Sequence, residues 1–270
     1  MTDSASTPPL PLSPDYERRF GGVARLYGNA ALARFRSAHV CVVGIGGVGS
    51  WTVEALARSG VGALTLVDLD HIAESNINRQ LHALDSTLGQ AKIEAMAARI
   101  HQINPDCQVV GVDDFVAPDN LDTLLGGLPA VDVLVDAIDG VRAKTALLAW
   151  CRGRGITVVT CGAAGGQLDP CRIRVEDLAR TTQDPLLAKV RGQLRKFHGF
   201  PRDAKKKFAI AAVYSEEPLR YPDAACAPPG GGGAPLNCAG FGSAVAVTAS
   251  FGLTAASVAL GKLAATAPAA

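Results

Sequence analysis

Apolar residues gather in short runs of strand length at 39–43, 63–67, 108–112, 131–137 and 156–160. Between them, residues 51–59, 91–103 and 144–154 read as helical, and Asn104-Pro105 supplies a helix stop. A further helical stretch with scattered arginines, 16–36, precedes the first run. Strands alternating with helices predict an α/β fold: a doubly wound, mostly parallel sheet with helices on both faces. The texture changes after Gly162. Residues 165–170 (Gly-Gly-Gln-Leu-Asp-Pro) read as a turn, followed by short strands at 171–175 and 208–215 that continue the sheet. The run 224–235, with four glycines in series from Gly230 to Gly233, is expected to be a flexible loop. Residues 1–14, rich in Ser, Thr and Pro, are expected to form a disordered tail ahead of a single domain over 15–265.

Composition narrows the class only slightly. A chain of 270 residues with 48% hydrophobic and 19% charged residues is ordinary for a soluble α/β protein. A net charge of +1 gives no global attraction to nucleic acid, so any polyanion site has to be a local patch. The seven cysteines include no C-x-x-C pair, which argues against a tetrahedral zinc site. The N-terminus lacks the basic and apolar regions of a secretory signal, so the cytoplasm is the expected compartment. Residues 239–260 carry no charge and are long enough to span a bilayer. Their many Gly, Ser and Thr residues instead favour a buried helix packed through small side chains, with a membrane span as the alternative.

The candidate chemistry begins at Gly44-Ile45-Gly46-Gly47-Val48-Gly49, between an apolar strand and a helix. Gly44, Gly46, Gly47 and Gly49 suit a loop whose backbone approaches a phosphate, with the helix N-terminus supplying N–H groups and positive dipole. Asp68, at the end of the next strand, is placed to accept hydrogen bonds from ribose hydroxyls. Thus far an NAD(P)-dependent redox protein fits equally well. Asn76, Arg79 and Lys92 favour a nucleoside triphosphate, because Arg79 offers a planar fork and Lys92 a point charge. Either cation could instead be a solvated charge on a helix face. Asp139 follows a strand end and could place a carboxylate beside Mg²⁺, with Asp136 and Asp70 as competitors. Asp136 alternates with Val133 and Val135 inside its strand, which favours Asp139.

In order, the motifs are G-x-G-G-x-G at 44–49, D-x-D at 68–70, S-N-x-x-R-Q at 75–80, G-x-x-K at 89–92 and D-x-x-D at 136–139. Together they resemble the ubiquitin-activating-enzyme-like superfamily, which includes the adenylyltransferases for thiamin and molybdopterin sulfur carriers. The resemblance is closer to its tRNA threonylcarbamoyladenosine dehydratase branch. It extends there through Arg19-Phe20-Gly21-Gly22, Ala24 to Gly28, Gly44 to Trp51, Val112 to Phe115, Val135 to Asp139, Ala164 to Pro170 and Gln183-Asp184-Pro185. The two zinc-binding C-x-x-C pairs of the sulfur-carrier enzymes are absent.

The resemblance implies ATP and Mg²⁺ as cofactors, and a Rossmann-like nucleotide-binding core over about 38–165 followed by a tRNA-binding and dimer region over about 166–265. Asp68, with Asp70 beside it, would bind the nucleoside; Asn76, Arg79 and Lys92 would hold the triphosphate; Asp139 would coordinate Mg²⁺. The implied reaction is adenylation of the threonyl carboxylate of a modified adenosine beside the tRNA anticodon, followed by ring closure and loss of water. A homodimer is implied, with Arg19 or Arg25 as the candidate for the partner-supplied arginine, and a cysteine desulfurase or other sulfur-relay protein is a further candidate partner. The basic stretch 189–207, with Phe197, His198 and Phe200, could contact tRNA, or could simply be a solvated surface. Cys161 and Cys238 could accept sulfur, although a small core residue is the simpler reading of each. Activation of a ubiquitin-like sulfur carrier is the alternative function, and a non-catalytic nucleotide-binding scaffold is another.

Overall fold

A computed structural model describes residues 14–203, 205–222 and 241–268; residues 1–13 of the expected tail, the glycine-rich loop, Cys226 and Cys238 fall outside these described residues, and Pro14 begins the first helix. In chain order the elements are α1 (Pro14–Tyr27), α2 (Asn29–Ser37), β1 (His39–Val43), α3 (Gly49–Arg58), β2 (Ala63–Val67), α4 (Lys92–Ile103), β3 (Gln108–Val112), α5 (Leu121–Leu125), β4 (Val133–Asp136), α6 (Val141–Gly153), β5 (Thr157–Cys161), β6 (Ile173–Asp177), α7 (Pro185–Phe197), β7 (Ala211–Ser215) and α8 (Val245–Ala264). The strands form one seven-stranded sheet in the order β3-β2-β1-β4-β5-β7-β6. Neighbours run parallel except β6, which pairs antiparallel with β7 at the edge.

Both faces of the sheet are covered, which is why β1 is buried at every position. Val40 and Val42 point into a core shared with α1, α2, α3, α4 and α8, while Cys41 and Val43 point into a second core under α5, α6 and α7. The order reverses between β1 and β4, and helices leave those two strands toward opposite faces. A crevice therefore opens at their carboxyl ends.

Several boundaries depart from the expected ones for local reasons. The stretch 16–36 is two helices, broken where Gly28 adopts a φ of 91°. The strand expected at 171–175 starts later, because Asp169 accepts the Cys171 N–H and holds Pro170–Arg172 in a tight turn. The last expected strand is shortened to Ala211–Ser215, since Asp177 captures the Phe208 and Ala209 N–H groups and Ala209 has φ 60°.

The uncharged segment becomes α8, about 30 Å long at 1.5 Å per residue. It meets the length and apolarity of a membrane-crossing helix, but one side is buried through Val247, Phe251, Ala255, Ala259 and Leu263. Its closest approach is to α3 at Gly252, whose carbonyl accepts from Thr52 Oγ1 at 3.1 Å. A Cβ at Gly252 would lie 2.3 Å from the Val48 carbonyl oxygen and 2.8 Å from Trp51 Cβ. Gly252→Ala should therefore destabilise the protein by about 1–3 kcal/mol, seen as a lower urea midpoint at unchanged slope. An unchanged midpoint would mean that α3 and α8 can separate freely.

Candidate active site

A cavity of about 460 Å³ opens at the β1/β4 switch point and is lined by Gly44, Gly46, Gly47, Asp68, Asp70, Arg79, Lys92 and Asp139 among others. Its floor is the turn from β1 into α3. Gly44 has φ 87°, and a Cβ there would lie 3.1 Å from the Ala137 carbonyl. A Cβ at Gly49 would sit 1.8 Å from the Gly44 carbonyl oxygen. Only glycine fits there, and the ten-residue α3 begins at Gly49, directly after the cavity-lining Gly46, Gly47 and Val48.

Two side chains pin this turn. Asp68 Oδ2 accepts the Ile45 N–H at 2.6 Å, while its Oδ1 accepts the Asp70 N–H at 2.9 Å. From the other side, His82 Nε2 lies 2.8 Å from the Ile45 carbonyl, so Nε2 carries the proton. His82 Nδ1 is buried with no partner among the described residues. Burial lowers the His82 pKa below its usual 6.5, and the nearby Lys92 charge adds to this, outweighing the bond to Ile45.

The cations converge on the same space. Lys92, at the start of α4, is buried, with Nζ 2.6 Å from Asp70 Oδ2 and 3.7 Å from Asp68 Oδ1. Arg79 lies along Gly47, where a Cβ would meet its Cγ at 3.1 Å. Its Nη1 donates to the Ser75 carbonyl and Asn78 Oδ1, and the guanidinium has no carboxylate partner among the described residues. Asn76 behaves differently. Its Oδ1 accepts the Ala73 N–H at 3.1 Å, closing the turn that carries Arg79, and it is not among the residues lining the cavity.

The two carboxylates after β4 have separate surroundings. Asp136 is fully buried and bound by Lys144 Nζ and Thr160 Oγ1, each at 2.7 Å. Removing one partner from such a buried pair costs about 3–5 kcal/mol. Asp136 Oδ1 also accepts the Ile138 N–H at 3.1 Å, so it shapes the turn that presents Asp139. The Asp139 side chain lines the cavity, is exposed, and has no ion pair among the described residues. Asp184 serves the opposite wall, where its Oδ2 accepts the Ala163 N–H at 2.9 Å. Burial raises the Asp184 pKa despite the bonds from Leu187 and Ala163.

Arg19 and Arg25 line clefts beside α1, neither of them the cavity at the β1/β4 switch point of the same chain. Cys161 ends β5 fully buried, and burial pushes its thiol up to about 12, which suits a core residue rather than a nucleophile. Phe200 is not available for stacking on a base: it is buried against Phe208, with ring centroids 4.8 Å apart. Phe197 and His198 are exposed. Sequence reading assigned no role to Gln80, Phe115, Thr248 or His82. Gln80 and Phe115 stood inside quoted motifs, whereas Thr248 reaches the cavity from α8, nearly 200 residues along the chain from the glycine turn, with no local signal.

The ThiF family model matches residues 16–265. The chain belongs to the ThiF family. It is 51% identical over 252 residues to the tRNA threonylcarbamoyladenosine dehydratase of Haemophilus influenzae, covering 92% of this chain and 94% of that one. The crystal structure of the Escherichia coli tRNA N6-threonylcarbamoyladenosine dehydratase in complex with ATP superposes with a TM-score of 0.84 at 50% identity, covering 95% of this chain and 98% of that chain. Similarity to the molybdopterin-synthase adenylyltransferase of Salmonella typhimurium is 35% over 129 residues, 48% of this chain and 50% of that one.

The His82 clamp makes the site pH-sensitive. Unfolded His82 takes up a proton near pH 6.5, and the folded state resists it until lower pH, so stability is lost as pH falls from about 6.5. Protonation would also place a donor on Nδ1 where no acceptor stands. Thermal stability and nucleotide affinity should both decline as pH falls below about 6.5, with a shallower decline in His82→Gln. The same slope in that variant would assign the titration to another group.

Proposed function

We propose that this protein is an ATP-dependent tRNA threonylcarbamoyladenosine dehydratase. The observation that carries the reading is similarity covering 92% of this chain and 94% of the dehydratase, where the likeness to the adenylyltransferase covers about half of each chain. Activation of a ubiquitin-like sulfur carrier is therefore the weaker reading.

A carboxylate is a poor acyl donor because its leaving group is oxide. Attack of the threonyl carboxylate on the α-phosphorus of ATP releases pyrophosphate and leaves a mixed anhydride with AMP. The carbamoyl group of the same modified base then closes a ring onto the activated carbonyl and expels AMP. The net change is loss of one water from the tRNA. Because the nucleophile is tethered, effective molarity supplies much of the second step and no catalytic cysteine is required.

In this reading Gly44, Gly46, Gly47 and Gly49 lay backbone along the phosphates, Asp68 and Asp70 meet the ribose side, and Arg79 and Lys92 neutralise the triphosphate. Asn76 acts by holding the turn that carries Arg79. Charge balance bears on the cofactor. The cavity is lined by four carboxylates (Asp68, Asp70, Asp114, Asp139) against two cations, Arg79 and Lys92. A triphosphate entering such a site needs additional positive charge. Asp139, an exposed carboxylate without a cation partner among the described residues, fits a ligand for Mg²⁺ shared with phosphate oxygens. Mg²⁺ would polarise the phosphates and stabilise the charge developing on pyrophosphate. A homodimer in which Arg19 or Arg25 reaches the partner's triphosphate would add to the same balance. A sulfur-relay protein remains a candidate partner, and a cytoplasmic location with α8 serving as a core helix completes the reading.

Lys92→Ala and Asp139→Ala should each lower tRNA-dependent AMP formation by about 10²–10³-fold while leaving the fold intact by circular dichroism. Chelation of divalent ions should abolish the wild-type reaction, and added Mg²⁺ should restore it. In a strain lacking the gene and any paralogue, nucleoside mass spectrometry should find threonylcarbamoyladenosine without its dehydrated form. Persistence of the dehydrated nucleoside would refute the function; full activity of the two variants would refute only the site.

A further inference from the structure

The basic stretch 189–207 holds eight cations against one carboxylate, while the rest of the chain is net acidic. The fold divides these cations into two groups. Arg191 is spent internally, its Nη1 donating to the Thr181 carbonyl at 3.1 Å and Thr181 Oγ1 at 2.7 Å. Arg195 is likewise engaged, with Nε 3.1 Å from the Pro201 carbonyl and its guanidinium 5.3 Å from the Phe208 ring centre. Lys189, Lys196, Arg202, Lys205, Lys206 and Lys207 are exposed and form no ion pair among the described residues. Arg152, from the end of α6, joins them by lying 4.1 Å over the Phe200 ring.

Within this cluster Phe197 is 65% exposed, with the Lys196 ammonium 4.9 Å from its ring centre. An aromatic face left in water among unpaired cations is the combination that single-stranded or distorted nucleic acid exploits, by stacking beside phosphate contacts. The cluster is also rigidly tied to the cavity. Asp184 caps the start of α7 through the Leu187 N–H and holds the cavity-lining Ala163 through its other oxygen. From that cap the 13 residues of α7 span about 20 Å to Phe197, with Lys189 exposed on the second turn.

We propose that the C-terminal end of α7, the exposed basic residues of 198–203 and 205–207, and Arg152 form the surface that grips the tRNA backbone while the modified base occupies the cavity. This rests on the tRNA-dehydratase reading and adds to it a footprint. Lysines supply point charges that tolerate any phosphate register, so the surface holds the arm irrespective of its sequence, and recognition of the modified base is left to the cavity. α7 acts as a ruler between the two.

The test uses the full-length protein, purified tRNA and a triple variant, Lys196→Glu with Lys205→Glu and Lys206→Glu. Binding is measured across a salt series, with ATP affinity measured in parallel. The expected result is a log–log salt slope shallower by about 2–3 and tRNA affinity lower by roughly tenfold or more, at unchanged ATP affinity. The matching Lys→Arg triple should keep the wild-type slope, and Phe197→Ala should weaken binding without altering it. Wild-type affinity and slope in the Glu triple would overturn the footprint while leaving the function standing. Loss of an acidic protein partner with tRNA binding intact would overturn it in favour of a protein-docking face. A wild-type protein that binds no tRNA would remove the functional reading itself.

Discussion

The turn from β1 into α3 is built on a contact that admits no side chain: a methyl group at Gly49 would stand 1.8 Å from the Gly44 carbonyl oxygen. That closeness sets the axis of α3 against β1 and starts the helix at the edge of the crevice. It also brings Gly44 against Ala137, across the point where the strand order reverses. Asp68 and His82 then hold Ile45 by its N–H and its carbonyl, so the turn is fixed before any ligand arrives. Such preorganisation matters because a phosphate site that must first be ordered loses binding energy to that ordering.

Charge is the second constraint. The walls of the cavity are held by carboxylates that also serve the fold. Asp68 clamps the glycine turn, Asp136 shapes the turn before Asp139, and Asp184 supports Ala163. Two of these are offset internally or by burial, since Lys144 pairs with Asp136 and burial favours the protonated form of Asp184. What remains facing the cavity is acidic on balance, which is an unexpected setting for a polyanion. In the proposed reading, a divalent ion and a cation from a second subunit would both offset this acidic lining.

Much of this was legible in the sequence because it is local. The glycine pattern, the strand ends at Asp68 and Asp139 and the helix start at Lys92 each sit on an element whose periodicity or turn residues declare it. The expectation that Asp136 is structural also followed from strand alternation, and Asp136 is the buried partner of Lys144. Less local features escaped. His82 reveals its role only through a carbonyl 37 residues earlier in the chain, and Thr248 arrives on α8. The basic stretch was visible as composition, but which cations it spends on Thr181 and Pro201, and that Phe200 turns inward to Phe208, depend on tertiary packing. The shortened last strand depended on Asp177, whose capture of two N–H groups thirty residues on has no pattern to announce it.

The central claim is that the carboxylate of the modified adenosine is activated as an adenylate in this cavity. The most direct measurement places a heavy oxygen isotope in that carboxylate, incubates the tRNA with the protein and ATP, and analyses the phosphate products by mass spectrometry. Adenylation followed by ring closure delivers one labelled oxygen to AMP, and none to pyrophosphate. Label in inorganic phosphate alongside ADP, or unlabelled AMP accompanying the dehydrated nucleoside, would contradict the account.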